Sequence, residues 1–104
     1  MIVEERIYTV KTGKMRELLS LYEKEGYPIQ TKILGRMLGF FTTEFGPLNQ
    51  LIHMWGYDSF EDRAERRARL IADPGWLAYL EKSQVLVERQ ENKVLIPTSF
   101  SPIR

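Results

Sequence analysis

His53 is the only histidine in the 104 residues, and it is the one side chain here whose ordinary pKa suits proton transfer near neutrality. Asn49, Leu51, Trp55 and Tyr57 stand at two-residue steps around it, so one side of a β-strand would carry all five. Glu4, Arg6 and Tyr8 repeat the same step near the N-terminus. If both strands turn these sides to one enclosed space, it holds an acid, a guanidinium, a phenol, an imidazole and an indole within an apolar wall. Small-molecule sites have that composition. Glu44, on a neighbouring hairpin strand, adds a carboxylate. The chemistry expected is acid or base catalysis by His53, with Arg6 and Tyr8 orienting an oxygen of the ligand. Glu4, Glu44, Asn49 and Trp55 complete the candidate site.

Each of these residues also has a plainer role. A lone histidine in a sheet is more often hydrogen-bonded to a neighbouring side chain than catalytic. Glu4 and Arg6 form a structural ion pair equally well. Trp55 and Trp76 read as core, because large aromatics dominate burial in small domains. The run Arg63, Arg66, Arg67 and Arg69 is interleaved with Glu61, Asp62 and Glu65 and reads as a solvated helix face. One histidine, no cysteine and scattered carboxylates show no metal-ligand spacing. No cofactor is called for; haem held by His53 as axial ligand is the lesser alternative.

The elements that must position these residues follow from periodicity. Residues 2 to 10 alternate as a strand does, with Glu4, Arg6 and Tyr8 opposite Val3, Glu5, Ile7 and Thr9, until Thr12 and Gly13 end it. From Lys14, helical spacing puts Met15, Leu18, Leu19 and Tyr22 on one stripe. Gly26 closes that helix, and Pro28 begins a short second one carrying Ile29, Ile33 and Met37. Gly39 to Phe45 and Leu48 to Tyr57 flank Gly46-Pro47 as a hairpin. Asp58 or Ser59 caps a third helix, Ser59 and Asp62 having capping-box spacing, and its apolar stripe is Phe60, Ala64, Ala68 and Ile71. Asp73-Pro74-Gly75 restarts a helix through Trp76, Leu80, Ser83, Val87 and Gln90. Asn92 ends it, and Lys93 to Phe100 is the last strand, which Pro97 either places at an edge or turns in direction.

Strand, helix, strand, strand, helix, strand is the ferredoxin-like split βαβ order of an α+β domain. It places the first and third strands in the middle of a four-stranded antiparallel sheet, with both crossovers on one face. The other face is bare, and with Tyr8, Phe41, Phe45 or Trp55 on it would be a large apolar patch for a monomer. A second copy packed face to face would cover it and enclose a barrel-like space, so a homodimer is expected.

One domain spanning residues 1 to 104 suits this length. A formal net charge of +1, from 15 basic and 14 acidic residues, gives no field to attract nucleic acid or anionic lipid. No apolar run approaches the roughly 18 residues of a membrane-spanning helix. The N-terminus lacks the pattern of a secretory signal, so a cytoplasmic location is expected.

The run Leu38 to Arg67, LGFFTTEFGPLNQLIHMWGYDSFEDRAERR, resembles the core signature of the NIPSNAP family. Glu4-x-Arg6-x-Tyr8, Asp73-Pro74-x-Trp76 and Pro97-x-x-Phe100-Ser101-Pro102 extend the resemblance over nearly the whole chain. It implies a dimeric α+β barrel, an architecture shared with monooxygenases and isomerases. It implies no defined reaction. A small apolar or aromatic molecule held between the sheets of a homodimer is one expectation; a non-catalytic dimeric interaction module, in a family whose name is linked to vesicle transport, is the other.

Overall fold

The computed structural model describes residues 1–104. Four strands form one antiparallel sheet: β1 (Ile2–Val10), β2 (Arg36–Thr42), β3 (Gln50–Tyr57) and β4 (Val87–Leu95), in the order β2-β3-β1-β4. Helices α1 (Met15–Leu21) and α2 (Tyr27–Leu34), joined by a π-helical turn at Tyr22–Gly26, make the first crossover. Helices α3 (Phe60–Ile71) and α4 (Pro74–Ser83), with a 3₁₀ turn at Gln84–Leu86, make the second. This is the expected ferredoxin-like split βαβ arrangement, with β1 and β3 central and β4 at an edge.

The register brings the two sets of strand residues together. Glu4 stands opposite Trp55, Arg6 opposite His53 and Tyr8 opposite Leu51. On its other side β1 sets Arg6 against Asn92 and Tyr8 against Gln90. Trp55 and Tyr57 join a buried cluster with Leu34, Leu70, Trp76 and Tyr79, whereas Leu51 joins Val10, Leu18 and Leu86 in a second cluster. Each such large side chain contributes roughly 1.5–3 kcal/mol by leaving water. These clusters fix which face the helices cover: it is the face of Glu4, Arg6, Tyr8, His53 and Trp55.

That placement corrects one expectation. The polar residues do not look into a space between two sheets; a single chain already roofs them. Tyr8 and Trp55 are therefore absent from the open face, and Phe45 is exposed in the β2–β3 connection. The open face instead carries Ile7, Ile52, Met54 and Phe41, with Glu5 and Lys93 3.8 Å apart beside them.

Three further differences have local causes. Gly35, at φ 86°, ends α2, so Met37 belongs to β2 rather than to a helix. The strand β4 begins at Val87, six residues before the expected start. Helix α3 turns Phe60, Ala64 and Ala68 outward and Leu70 inward, the reverse of most of the expected stripe, and Ile71 is exposed at the rim of the cavity described below. The expected cap of α3 does form, Ser59 Oγ accepting from the Asp62 amide, and Asp73 caps α4 in the same way, its Oδ1 accepting from the Trp76 amide.

Candidate functional site

Between the two buried clusters the core parts around a cavity of about 220 Å³. Its floor is the sheet, through Arg6, Tyr8, Phe40 and His53; its roof is helical, through Tyr22, Trp76, Tyr79 and Arg67. The roof stops short of β4, where Glu88 to Leu95 are all exposed, and Val87 and Gln90 form that side of the cavity. The π-helical turn matters to the roof. It delivers Tyr22, whose hydroxyl donates to Oε1 of the buried Gln30, and it places Gly26 against the ring of Tyr79. Inserted π turns recur at functional sites.

His53 is buried, stacked on Phe40 with ring centres 4.9 Å apart and edge-on to Tyr8 at 5.1 Å. Trp55 Nε1 donates to His53 Nδ1 at 2.7 Å. An indole nitrogen only donates, so Nδ1 must be unprotonated and the neutral ring carries its hydrogen on Nε2. Burial, then the positive charge of Arg6, holds the pKa down to about 3, against the opposing charge of Glu4. The imidazole is thus neutral at physiological pH. Its Nε2–H has no protein partner and can donate to a ligand, but no ring nitrogen is free to take a proton. The expected base is in chemical terms a fixed hydrogen-bond donor.

Behind the cavity wall lies Glu4, fully buried. Its Oε2 accepts from Arg6 Nη1 at 2.9 Å, Arg63 Nη2 at 2.8 Å and Asn92 Nδ2 at 2.7 Å. Burial works against the carboxylate, but the bonds from Arg63 and Asn92 and the charges of Arg6 and Arg63 outweigh it and bring the pKa down to about 2. Arg6 also donates through Nε to the Tyr8 hydroxyl at 3.2 Å. Glu4 therefore aims Arg6 and does not itself line the cavity. Trp55 likewise stands behind His53 and orients it.

The remaining two expected residues fall outside. Glu44 is exposed in the β2–β3 connection, and Asn49, in the left-handed conformation at φ 62°, gives its carbonyl to the Val10 amide. Arg67 was hidden in what reads as a solvated face. Leu70 is fully buried, and Arg63, Arg66 and Arg67 precede it by seven, four and three residues, so all share its side of α3. Arg63 pairs with Glu4 and Arg66 with Asp62, whereas Arg67 lines the cavity. The phenol of Tyr79 is pushed up to about 12 by burial and stays protonated.

The fold has close counterparts. The NIPSNAP family model matches residues 3–102. The chain belongs to the NIPSNAP family. A NIPSNAP family protein from Agrobacterium tumefaciens superposes with a TM-score of 0.97 at 54% identity, covering 99% of this chain and 98% of that one. A second, described as of unknown function and from the same organism, gives 0.97 at 46% identity, over 100% and 94% of the two chains. Among sequence relatives, a NipSnap homolog from Dictyostelium discoideum is 35% identical over 97 residues, 93% of this chain and 43% of the relative. Human NipSnap homolog 3A is 34% identical over 98 residues, 90% of this chain and 39% of its own length. This NIPSNAP domain thus spans about two fifths of those relatives. An antibiotic biosynthesis monooxygenase with a TM-score of 0.67 at 10% identity shares the fold alone. No helix of the domain is long and apolar enough to cross a membrane.

Proposed function

We propose that this NIPSNAP domain binds a small apolar or aromatic molecule in the cavity between its own sheet and helices. The cavity itself carries the reading. Protein cores are close-packed, with few voids larger than a water molecule. Here a domain of 104 residues keeps about 220 Å³ open beside an imidazole, two guanidiniums and five aromatic side chains, Tyr8, Tyr22, Phe40, Trp76 and Tyr79. Tyr22, Phe40, Trp76 and Tyr79 supply the wall for a ring, and His53 Nε2–H supplies a hydrogen bond to a ligand oxygen. Any chemistry at this site, needing no cofactor, would polarise that oxygen rather than remove a proton through His53.

Titrating monocyclic aromatic compounds into the isotopically labelled protein tests this directly. Amide and side-chain shifts should concentrate at Phe40, His53 and Trp76. No shift at these residues with any compound up to millimolar concentration would refute the reading.

A second copy of the chain completes the arrangement by covering the open face of the sheet. Ile7, Ile52, Met54 and the exposed Phe41 lie together there, and burying them stabilises association at roughly 25 cal/mol per Å² of apolar surface. Sedimentation at micromolar concentration should show a dimer; a stable 12.3 kDa species would overturn it. The other reading, an interaction module, draws on the exposed Phe60 of α3, which lies outside the cavity. It would be preferred if the cavity takes no compound while F60D abolishes a partner complex.

A further inference from the structure

Arg67 is the one cavity-lining cation without a counter-charge. It makes no hydrogen bond and no ion pair within the protein, although it is only partly exposed. Every other arginine on that side of α3 is engaged: Arg63 by Glu4 at 2.8 Å and Arg66 by Asp62 at 2.9 Å. Arg6, on the floor, shares Glu4 with Arg63. One carboxylate therefore faces three guanidiniums, a local surplus of two positive charges. The groups acting on Arg67 are Arg6, Glu4 and the phenols of Tyr57 and Tyr8, so no further carboxylate balances it. Burial and the like charge of Arg6 both lower the pKa of Arg67, the mark of a cation held where a negative charge would relieve it.

Resting on the binding reading above, we infer that the ligand is a small aromatic or apolar carboxylate, its carboxylate seated on Arg67 beside Arg6 and His53 Nε2–H. The planar fork of an arginine matches a carboxylate with two parallel hydrogen bonds. Nη1 and Nε of Arg6 are already directed to Glu4 and Tyr8, so its part is mainly charge, while Arg67 has its whole fork free. The neutral imidazole adds a donor without adding repulsion. Size sets the rest of the molecule. Because about 150 Å³ holds benzene, 220 Å³ takes one ring and a carboxylate and little more.

Calorimetric titration with benzoate, benzamide and phenyl phosphate separates this inference from the reading beneath it. Charge-assisted hydrogen bonds should make benzoate bind about 10-fold to 100-fold more tightly than benzamide. R67Q should remove that advantage and leave benzamide binding unchanged, with R67K recovering part of it. R69Q, on the exposed side of the same helix, should change nothing. Equal affinity for benzoate and benzamide, or benzoate binding that survives R67Q, overturns the carboxylate assignment while leaving a cavity for neutral rings. Tighter binding of phenyl phosphate than of benzoate overturns it in favour of a phosphoryl ligand. Binding of none of the three overturns both the assignment and the small-molecule reading.

Discussion

Trp55 and His53, two residues apart on β3, are joined side chain to side chain by an indole-to-imidazole hydrogen bond of 2.7 Å. Alternation puts both on the same face of the sheet, and the bond between them fixes one tautomer of the ring. His53 should accordingly show an unprotonated Nδ1 and a protonated Nε2 by nitrogen-15 NMR, with no titration between pH 5 and 8. W55F removes the donor and leaves a buried acceptor without a partner. It should cost about 1–3 kcal/mol in chemical denaturation and let the tautomers interconvert.

The Glu4 cluster sets a larger effect against a control. Glu4 is inaccessible to solvent and holds Arg6 and Arg63, which keep some contact with water. E4A leaves both cations without their partner and should destabilise the fold by about 3 kcal/mol. E65A removes the exposed 3.8 Å contact with Arg69 and should change stability by less than about 0.5 kcal/mol. Equal costs for the two variants would mean that Glu4 is not the centre of the network.

Acid stability follows from the direction of the shifts. His53 has a folded pKa of about 3 against an ordinary 6.5, so between those values the unfolded chain binds a proton that the folded chain excludes. Glu4 does the same between 4.5 and about 2, helped by the bonds that depress it. Both contributions are complete above pH 6.5 and are lost as the pH falls. The denaturation midpoint should therefore begin to drop below about pH 6.5, and in H53Q the drop should start only near pH 4.5. A wild-type midpoint that stays flat from pH 7 to pH 5 would contradict the neutral buried imidazole.

Much of this fold is legible in the chain, and the exceptions share a physical origin. The alternation of Glu4, Arg6 and Tyr8 and of Leu51, His53 and Trp55 gives the two central strands and sets these residues on matching sides, while their register comes only with the fold. It does not say which face the helices cover, because both faces of β1 mix charged and apolar residues. The segment Val87–Leu95, VERQENKVL, is polar on both sides, since it sits at an edge beyond the helix layer. Such a strand looks like a surface helix until β1 is there to pair with it. On α3 the arginines read as solvent-facing because the carboxylate that compensates Arg63 is Glu4, 59 residues away. Long-range charge pairing leaves no periodic trace, so Arg67 could be found only once Leu70 had fixed the inward side of the helix.

Gly26 links the π-helical turn to the cavity and offers a test that needs no ligand to begin. A Cβ at this position would lie 2.8 Å from Tyr22 Cδ1 and 3.0 Å from Tyr79 Cζ, and both rings are parts of the roof. Alanine ordinarily gains up to about 1 kcal/mol over glycine inside a helix. Overpacking costs about 1–3 kcal/mol, and these rings are wedged among Phe40 and Trp76, with centres 4.7 Å and 4.9 Å away, so they have little room to yield. The crowding should win: G26A is expected to lower stability by about 1 kcal/mol in denaturant unfolding. It should also push Tyr79 toward the cavity and weaken the binding of any ring compound there. A variant more stable than the parent, with unchanged tyrosine ring shifts, would show that the roof is looser than the close approach of Gly26 implies.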